Sequence, residues 1–427
     1  MIKEELTSEN GHLMIGGVDS VDLAKKYGTP LYVFDVGEIR SQIRKFKSAF
    51  EKNDLKYQIS YASKAFAVKA IYQVMKQEEV HIDVVSGGEL YTALAAGFPS
   101  DKISFHGNNK SFEELEMAVK NHVGVIMLDN FHEIELLARI LKVEDAKIDV
   151  MLRLTPGISA HTHKYDQTGQ TDSKFGFDVE SGQADEAMQQ VLNNPQMNLL
   201  GIHAHIGSQI FGTQGFVMLA QKMIELAKHF QQEFNYWPQI INLGGGFGIS
   251  YNEDDDPITA QEFISQIADE LKKQCDNVPE IWIEPGRSIV GPAGYTLYTI
   301  GSRKDIPKLT PYVSVDGGMG DNIRPALYQA KYEAVVANKM GQENVETAHI
   351  SGKYCESGDI LIDRQELPAT KVGDILAVLD TGAYGYSMAM NYNRNPRPAV
   401  VFVENGQDKL VVERETYQDL ISLDRDY

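Results

Sequence analysis

Side chains able to take part in chemistry recur along this chain directly after short, apolar, β-branched runs. They include an amine at Lys64, an imidazole at His205, the glycine run Gly244-Gly-Gly-Phe-Gly248, and a carboxylate near a guanidinium in Glu284-Pro-Gly-Arg287. Such groups could supply a nucleophile, acid–base groups and an anion site. What they do together depends on whether the fold gathers the ends of these runs in one place.

Lys64 ends the run that begins at Tyr57, and two interpretations fit it. As a structural residue, it lets its charged end reach solvent where a strand leaves the core. As a functional residue, it is an amine in a partly dry pocket, where desolvation disfavours the ammonium form and the amine can form a Schiff base with an aldehyde cofactor. The run alone does not decide between the two interpretations.

The motif Gly244-Gly-Gly-Phe-Gly248 places successive residues without a Cβ at the end of a run. Several backbone N–H groups can then point at one anion, and a phosphate group fits that arrangement. A flexible turn that needs unusual backbone dihedrals explains the glycines equally well. The motif does not match G-x-G-x-x-G, and no Walker lysine follows it, which argues against a dinucleotide or a nucleoside triphosphate.

Two histidine pairs, His161-Thr-His163 and His203-Ala-His205, raise the question of a zinc site, because imidazoles are usual zinc ligands. No cysteine and no third histidine stands close in sequence to support one, so the sequence predicts no metal. For His205 the structural alternative is a hydrogen-bonded core histidine.

Two further motifs are equally ambiguous. Glu284-Pro-Gly-Arg287 can form an ion pair, or its carboxylate can face a pyridine nitrogen and keep it protonated, so that the ring becomes an electron sink. Cys355-Glu-Ser-Gly-Asp359 can be a surface turn with an exposed thiol and two acids. Neither motif identifies a reaction by itself.

Eight β-branched runs, separated by stretches with helical composition, predict the scaffold that would position these residues. Eight alternating strands and helices match a (β/α)8 TIM barrel better than an open doubly wound sheet. In such a barrel the carboxyl ends of the strands meet on one face, where active sites are built. The predicted strands are residues 57–63, 82–85, 103–105, 125–128, 148–154, 199–204, 240–243 and 281–283.

Shorter segments with alternating polarity, which begin after about residue 290, predict an antiparallel β domain. The predicted division is a barrel over residues 36–290 and a C-terminal β-sandwich or β-barrel domain made of residues 291–427, joined by residues 1–35.

The composition excludes several classes of function. The 427 residues carry 40 basic and 60 acidic side chains, a formal net charge of −20, which argues against a nucleic-acid partner because nucleic-acid binding normally requires a clustered cationic face. No run reaches the roughly 18 apolar residues of a membrane span, and acids stand where a signal peptide would be apolar. We therefore expect a cytoplasmic protein without a membrane partner. The two cysteines, Cys275 and Cys355, are expected to be free thiols.

Ordered motifs between Tyr32 and Arg397 carry a resemblance to a known family. They are Tyr61-Ala-Ser-Lys64, Asp83-Val-Val-Ser-Gly-Gly-Glu89, His106-Gly-Asn-Asn-Lys110, His161-Thr-His163 with Ser173-Lys-Phe-Gly176, His203-Ala-His-Ile-Gly-Ser208, Gly244-Gly-Gly-Phe-Gly248, Glu284-Pro-Gly-Arg287, Asp316-Gly-Gly-Met319, Cys355-Glu-Ser-Gly-Asp359 and Gly382-Ala-Tyr384. With them the chain resembles the diaminopimelate decarboxylases, which are fold-type III pyridoxal-phosphate enzymes, like the eukaryotic ornithine decarboxylases and the alanine racemases. One departure is Phe66, where relatives often carry Asn.

The resemblance implies an alanine racemase-like fold and pyridoxal 5'-phosphate as cofactor. It implies that Lys64 binds the cofactor covalently, that His205 stacks on its ring, and that Glu284 faces the pyridine nitrogen. The remaining residues that it assigns to cofactor binding, mostly around the phosphate, are Asp83, Ser208, Gly245, Gly246, Phe247, Gly248, Gly286, Arg287 and Tyr384.

For the substrate, the resemblance assigns the distal carboxylate to Arg287, Arg324 and Tyr328, and the distal amine to Glu356, with Tyr384 also in the substrate set. It further implies a head-to-tail homodimer with shared active sites, in which Cys355 of the second subunit is the proton donor.

The implied reaction is decarboxylation of meso-2,6-diaminopimelate to L-lysine and carbon dioxide, the last step of lysine biosynthesis. The alternatives within the fold are a decarboxylase of ornithine, arginine, carboxynorspermidine or a carrier-bound glutamyl group, and an alanine racemase. From a different class, the alternative is a pyridoxal-phosphate-binding protein without turnover. Two guanidiniums, Arg287 and Arg324, suit a second carboxylate, and Glu356 suits a second amine, which favours diaminopimelate.

Overall fold

The structure, a computed structural model, describes residues 6–158 and 173–427. These form two compact units: residues 42–158, 173–249 and 257–288 in one, and residues 6–41, 250–256 and 289–427 in the other. His161-Thr-His163 and most of the 161–175 segment lie outside the described residues.

The secondary structure alternates through the first two thirds of the chain and is mostly β afterwards. The strands are β1 (Ser8–Glu9), β2 (His12–Ile15), β3 (Val18–Asp19), β4 (Leu31–Asp35), β5 (Tyr57–Ala62), β6 (His81–Val84), β7 (Ile103–Phe105), β8 (Val125–Leu128), β9 (Ile148–Thr155), β10 (Phe177–Asp178), β11 (Met197–His203), β12 (Ile240–Asn242), β13 (Glu280–Ile283), β14 (Gly294–Lys304), β15 (Tyr312–Val315), β16 (Ala334–Val336), β17 (Glu346–Ser351), β18 (Ile360–Leu367), β19 (Ile375–Val378), β20 (Ala399–Glu404) and β21 (Gln407–Val412). The α-helices are α1 (Ser20–Tyr27), α2 (Val36–Lys52), α3 (Lys69–Gln77), α4 (Gly87–Ala95), α5 (Phe112–Lys120), α6 (Phe131–Glu144), α7 (Gln183–Leu192), α8 (Gln214–Phe234), α9 (Ala260–Gln274), α10 (Arg287–Val290), α11 (Arg324–Tyr328) and α12 (Tyr417–Ile421).

The first unit is a closed parallel barrel. Its strands follow the order β9-β11-β12-β13-β5-β6-β7-β8, and β8 pairs again with β9 to close the sheet. A helix follows each strand, as right-handed crossovers between parallel strands require. The predicted (β/α)8 barrel is therefore confirmed, and the eight predicted strands lie within two residues of the observed ones.

Several polar residues that follow barrel strands begin the next helix. Ser86 accepts a hydrogen bond from the N–H of Glu89, and Asn130 accepts one from the N–H of Glu133. Ser111 forms a reciprocal capping box with Glu114. These caps satisfy N–H groups that have no partner within the helix, so part of the polar pattern after the strands is structural.

The second unit is built around the long strand β14. Its first half pairs with β4 and β19, and its second half pairs with β15. The predicted β domain is confirmed, with mainly antiparallel pairing and two parallel pairs, β4 with β20 and β15 with β17. Alternating polarity predicts which face of a strand is buried but carries no information on strand direction. The core of this second unit includes Leu13, Val33, Leu297, Ala377 and Val401.

Within the described part of the chain, no helix is long and apolar enough to cross a membrane. The domain boundaries at residues 36 and 290 remain a prediction.

Candidate active site

Lys64 lies where β5 leaves the barrel. The chain turns through one turn of 3-10 helix at residues 63–65, in which Ser63 and Ala65 are buried and Lys64 is exposed. Tyr61 holds this turn, because its hydroxyl donates to the carbonyl of Phe66 at 2.8 Å. Because Lys64 is exposed, the described residues of this chain do not by themselves form the partly dry pocket expected for the amine.

Charged groups from neighbouring strand ends lie close enough to Lys64 to interact with it. Burial raises the pKa of the Asp83 carboxyl well above its usual value. The nearby charge of Glu284 raises this pKa further, whereas Lys64 lowers it. Burial lowers the pKa of the His205 imidazole well below its usual value, and Lys64 and Arg153 lower it further. The strand ends therefore converge on one face, as the barrel requires.

The carboxylate of Glu284 follows β13 and is buried. Asn242 donates its Nδ2 to Oε1 at 2.6 Å, and Nε2 of His203 lies 3.1 Å from Oε2. Nε2 of His106 lies 2.9 Å from Oε1. Burial would raise the pKa of Glu284, but His106 and His203 outweigh it and hold that pKa well below the usual range. Glu284 is therefore ionised at neutral pH.

The glycine turn after β12 packs closely against the backbone of two neighbouring segments, at Gly207 and Glu284. A Cβ on Gly245 would lie 2.1 Å from the carbonyl oxygen of Glu284, and one on Gly246 would lie 2.3 Å from that of Gly207, with φ at +113°. Only glycine fits such positions. Among the described residues, no acceptor pairs with the N–H groups of Gly246 and Phe247.

The side chain of Phe247 points away from these N–H groups. Its ring stacks on Phe216 of α8, with centroids 4.8 Å apart, and meets Phe263 of α9 edge to face at 5.2 Å. Phe247 can therefore contact a ligand only through its backbone.

Arg287 and Ser208 border the same turn. Nη2 of Arg287 donates to the Ser208 hydroxyl at 2.9 Å. Gly286 lies against the Lys64 turn, since a Cβ there would come within 2.8 Å of the Ala62 side chain.

These groups fit a phosphorylated pyridine aldehyde. Two N–H groups that have no acceptor among the described residues, together with a nearby hydroxyl, can bind a phosphate. An ionised carboxylate can accept a proton from a ring nitrogen. The buried Oδ1 of Asp83 has no partner among the described residues, so it too can receive a donor.

Arg324 belongs to the β unit and begins α11. Its guanidinium is buried, donates to the Tyr332 hydroxyl, and lies 4.8 Å from the centre of the Tyr251 ring. Burial alone would lower its pKa, but Tyr251 and Tyr332 raise it above the usual value, so the cation is firmly retained. Tyr328 ends the same helix and is half-buried.

Cys355 and Glu356 lie on an exposed loop of the β unit. The N–H of Cys355 donates to Oδ1 of Asn393 at 2.9 Å. Buried Asp359 anchors the loop, because its two oxygens accept the N–H groups of Met319 at 2.6 Å and Tyr354 at 2.9 Å. Tyr384 is half-buried, with φ at +61°.

The barrel unit brings together the residues that sequence analysis assigned to the cofactor there, namely Lys64, Asp83, His205, Ser208, Gly245, Gly246, Phe247, Gly248, Glu284, Gly286 and Arg287. Arg324, Tyr328, Cys355, Glu356 and Tyr384 belong to the β unit. His106, His203 and Asn242 surround Glu284, which was not predicted from the sequence. The available signal was their common position at strand ends.

Comparison with known proteins gives concordant matches. Residues 36–291 match the family model described as pyridoxal-dependent decarboxylase, pyridoxal binding domain. A diaminopimelate decarboxylase of Bacillus subtilis is 57% identical over 421 residues, covering 98% of this chain and 96% of that protein. One from Bacillus methanolicus is 58% identical over 412 residues, covering 96% and 95%. The crystal structure of diaminopimelate decarboxylase from M. jannaschii in co-complex with L-lysine matches with a TM-score of 0.94 at 36% identity, covering 99% of this chain and 98% of that one.

Proposed function

The chain belongs to the diaminopimelate decarboxylase family of pyridoxal-dependent decarboxylases, and we propose that it converts meso-2,6-diaminopimelate to L-lysine and carbon dioxide. The observation that carries the proposal is the convergence, on one barrel face, of Lys64, the ionised Glu284 carboxylate and a glycine turn with two N–H groups that no described residue accepts. These are the groups that an aldehyde, a ring nitrogen and a phosphate need.

The residues of the barrel unit would hold pyridoxal 5'-phosphate. Lys64 would bind its aldehyde covalently, and its exposed position leaves the amine accessible. The N–H groups of Gly246 and Phe247, with the Ser208 hydroxyl, would bind the phosphate. When bound, the cofactor supplies an electron sink for the electron pair that remains on Cα after carbon dioxide leaves.

Glu284 controls a proton in this scheme. A buried carboxylate that stays ionised can hold a proton on the facing ring nitrogen, which increases the capacity of the ring to accept electrons. His205 is neutral at pH 7, because burial and Lys64 keep its pKa well below the usual value. A neutral ring can lie against the aromatic face of the cofactor without adding a buried charge.

The β unit would supply the groups that select the substrate and deliver a proton. Buried, permanently charged Arg324 suits the distal carboxylate of diaminopimelate, with Tyr328 beside it on α11. Glu356 would bind the distal amine. The thiol of Cys355 would protonate Cα as a general acid.

The proposal includes a homodimer with shared active sites, in which Cys355 acts in the partner's site. An exposed loop that is anchored by Asp359 and Asn393 supports this, because it presents the thiol outward in a fixed conformation. It also includes a barrel domain over residues 36–290 and a cytoplasmic location, where two free cysteines are stable as thiols.

The test is to incubate the purified protein with meso-diaminopimelate and pyridoxal phosphate and to measure lysine and carbon dioxide. We expect equimolar products, and none from Lys64→Ala. Ornithine and lysine serve as competing substrates. Equal turnover of ornithine would refute the assignment of the distal carboxylate to Arg324.

A further inference from the structure

Polar side chains from three other strand ends surround the carboxylate of Glu284. His106 follows β7, His203 ends β11, and Asn242 ends β12. All three are buried, with 5%, 1% and 0% of their surface exposed. A buried carboxylate stays ionised only when donors compensate for the water that it has lost.

Asn242 can act only as a donor toward Glu284, because its amide is fixed from the other side. Its Oδ1 accepts the N–H of Gly244 at 2.9 Å, so its Nδ2 faces Oε1 of Glu284 at 2.6 Å. A reversed amide would set two donors against each other at Gly244 and two acceptors against each other at Glu284.

His203 is also a donor. Burial lowers its pKa to about 4, so the ring is neutral at pH 7 and carries one N–H. Its Nδ1 has no partner among the described residues, whereas its Nε2 lies 3.1 Å from Oε2 of Glu284. The proton therefore belongs on Nε2.

His106 completes the group. Its Nε2 lies 2.9 Å from Oε1 of Glu284, close to but not in line for an ideal hydrogen bond. Its ring meets that of His203 edge to face, with centroids 5.1 Å apart and planes at 76°, so each imidazole restricts the other.

We propose that His106, His203 and Asn242 are positioning residues that hold Glu284 ionised and in one orientation, so that it keeps the ring nitrogen of bound pyridoxal phosphate protonated. This inference rests on the proposed function. Two donors, Asn242 and His203, and the close imidazole of His106 favour the charged form of this carboxylate. A protonated ring nitrogen is what makes the cofactor an effective electron sink.

The protonation of the ring nitrogen can be measured directly. Holoenzyme is prepared with pyridoxal phosphate labelled with 15N in the ring, and the 15N chemical shift is recorded at pH 7. His106→Phe and His203→Phe keep an aromatic ring but remove the imidazole nitrogens that lie close to Glu284, so we expect the 15N shift to move toward that of unprotonated nitrogen. His203→Gln retains an N–H donor and should recover most of the protonated signal.

The control variant is His229→Gln, which removes a histidine bonded to Asp185 at 2.9 Å on a partly exposed helix face. It should give the same shift as the unmodified protein. A second measurement compares binding of pyridoxal phosphate with that of its 1-deaza analogue, which lacks the ring nitrogen. We expect Asn242→Asp to reduce the preference for pyridoxal phosphate at least tenfold, and this variant carries the test if the Phe variants do not fold.

Three results would overturn the inference. One is a ring nitrogen that stays protonated in both Phe variants, with an unchanged preference in Asn242→Asp. Another is stoichiometric zinc that is lost in Glu284→Gln, since His106, His203 and Glu284 have ligand atoms within 4.8 Å of one another and would then be metal ligands. The third is an unprotonated ring nitrogen in the unmodified holoenzyme, because Glu284 would then not keep that nitrogen protonated. A protonated nitrogen without turnover of diaminopimelate would instead refute the proposed substrate and support the inference.

Discussion

Replacement of Lys110 by methionine should strongly destabilise the barrel unit. Lys110 and Glu133 form a buried ion pair with an Nζ to Oε1 distance of 2.7 Å and side chains 1% and 2% exposed. Nζ also donates to the carbonyls of Gly107 at 2.8 Å and Met127 at 2.7 Å. The substitution removes the cation and leaves a buried carboxylate uncompensated.

The expected loss follows from this geometry. Removing one partner of a buried pair costs about 3–5 kcal/mol, a large part of the roughly 5–15 kcal/mol that stabilises a folded protein. The double variant Lys110→Met/Glu133→Leu has neither charge. Its free energy of unfolding should fall mainly because two carbonyls lose their donor, at about 1 kcal/mol each. The double variant should therefore be more stable than the single one.

The loss should also depend on pH. Burial raises the pKa of Glu133 to about 7, against the pull of Lys110, from a usual value of 4.5. Protonation of Glu133 in the folded state therefore contributes stability that is present below about pH 4.5 and is lost as pH rises through about 7. Without Lys110 the pKa of Glu133 rises further. The loss of stability in Lys110→Met, relative to the unmodified protein, should therefore be small at pH 5 and large at pH 8.

Urea unfolding followed by circular dichroism at pH 5 and pH 8 measures both effects. Lys120→Met is the matched control, since Lys120 pairs with Glu116 on the surface, is 49% exposed, and should contribute less than about 1 kcal/mol. Equal unfolding midpoints for Lys110→Met and the double variant, or a deficit that does not change with pH, would refute the reasoning.

Three further predictions concern the proposed site. Cys355→Ala should lower kcat by roughly 100-fold or more with little change in substrate binding, because it removes a general acid. Cys275→Ala, the control, should leave kcat unchanged. An unchanged kcat in Cys355→Ala would exclude the thiol as proton donor. Arg324→Lys should raise KM for diaminopimelate about tenfold, because an ammonium cannot reproduce the planar guanidinium contacts, and an unaltered KM in steady-state kinetics would contradict this. Gly245→Ala should weaken binding of pyridoxal phosphate in equilibrium dialysis, since its Cβ would lie 2.1 Å from a backbone oxygen; affinity equal to that of the unmodified protein would argue against a rigid turn.

The barrel could be predicted because its strands are short β-branched runs whose order and spacing fit a single closed topology. Observed β7 (Ile103–Phe105) and β8 (Val125–Leu128) coincide with the predicted strands. β11 begins two residues earlier than predicted, at Met197, because Met and exposed Asn198 lack the β-branched signature. The two parallel pairs of the β unit were not predictable from alternation alone.

The site could be predicted only in part. Lys64, Glu284 and the glycine turn are recognisable because each has an unusual residue type at a strand end. Only their common position at strand ends indicated that His106 and His203 approach Glu284, because the contacts between strands far apart in the sequence depend on how the barrel closes. The polar caps Ser86 and Asn130 also follow strands, so position alone does not separate helix caps from site residues.

The backbone and the side chain of Phe247 point to different parts of the barrel unit, which links cofactor binding to the helices around the barrel. Its N–H belongs to the proposed phosphate site, while its ring is fixed between Phe216 of α8 and Phe263 of α9. Any ligand that binds the folded turn and not the unfolded chain must therefore also stabilise these two helices. Loading the protein with pyridoxal phosphate should slow amide hydrogen exchange along α8 and α9, at a layer that the ligand itself does not touch.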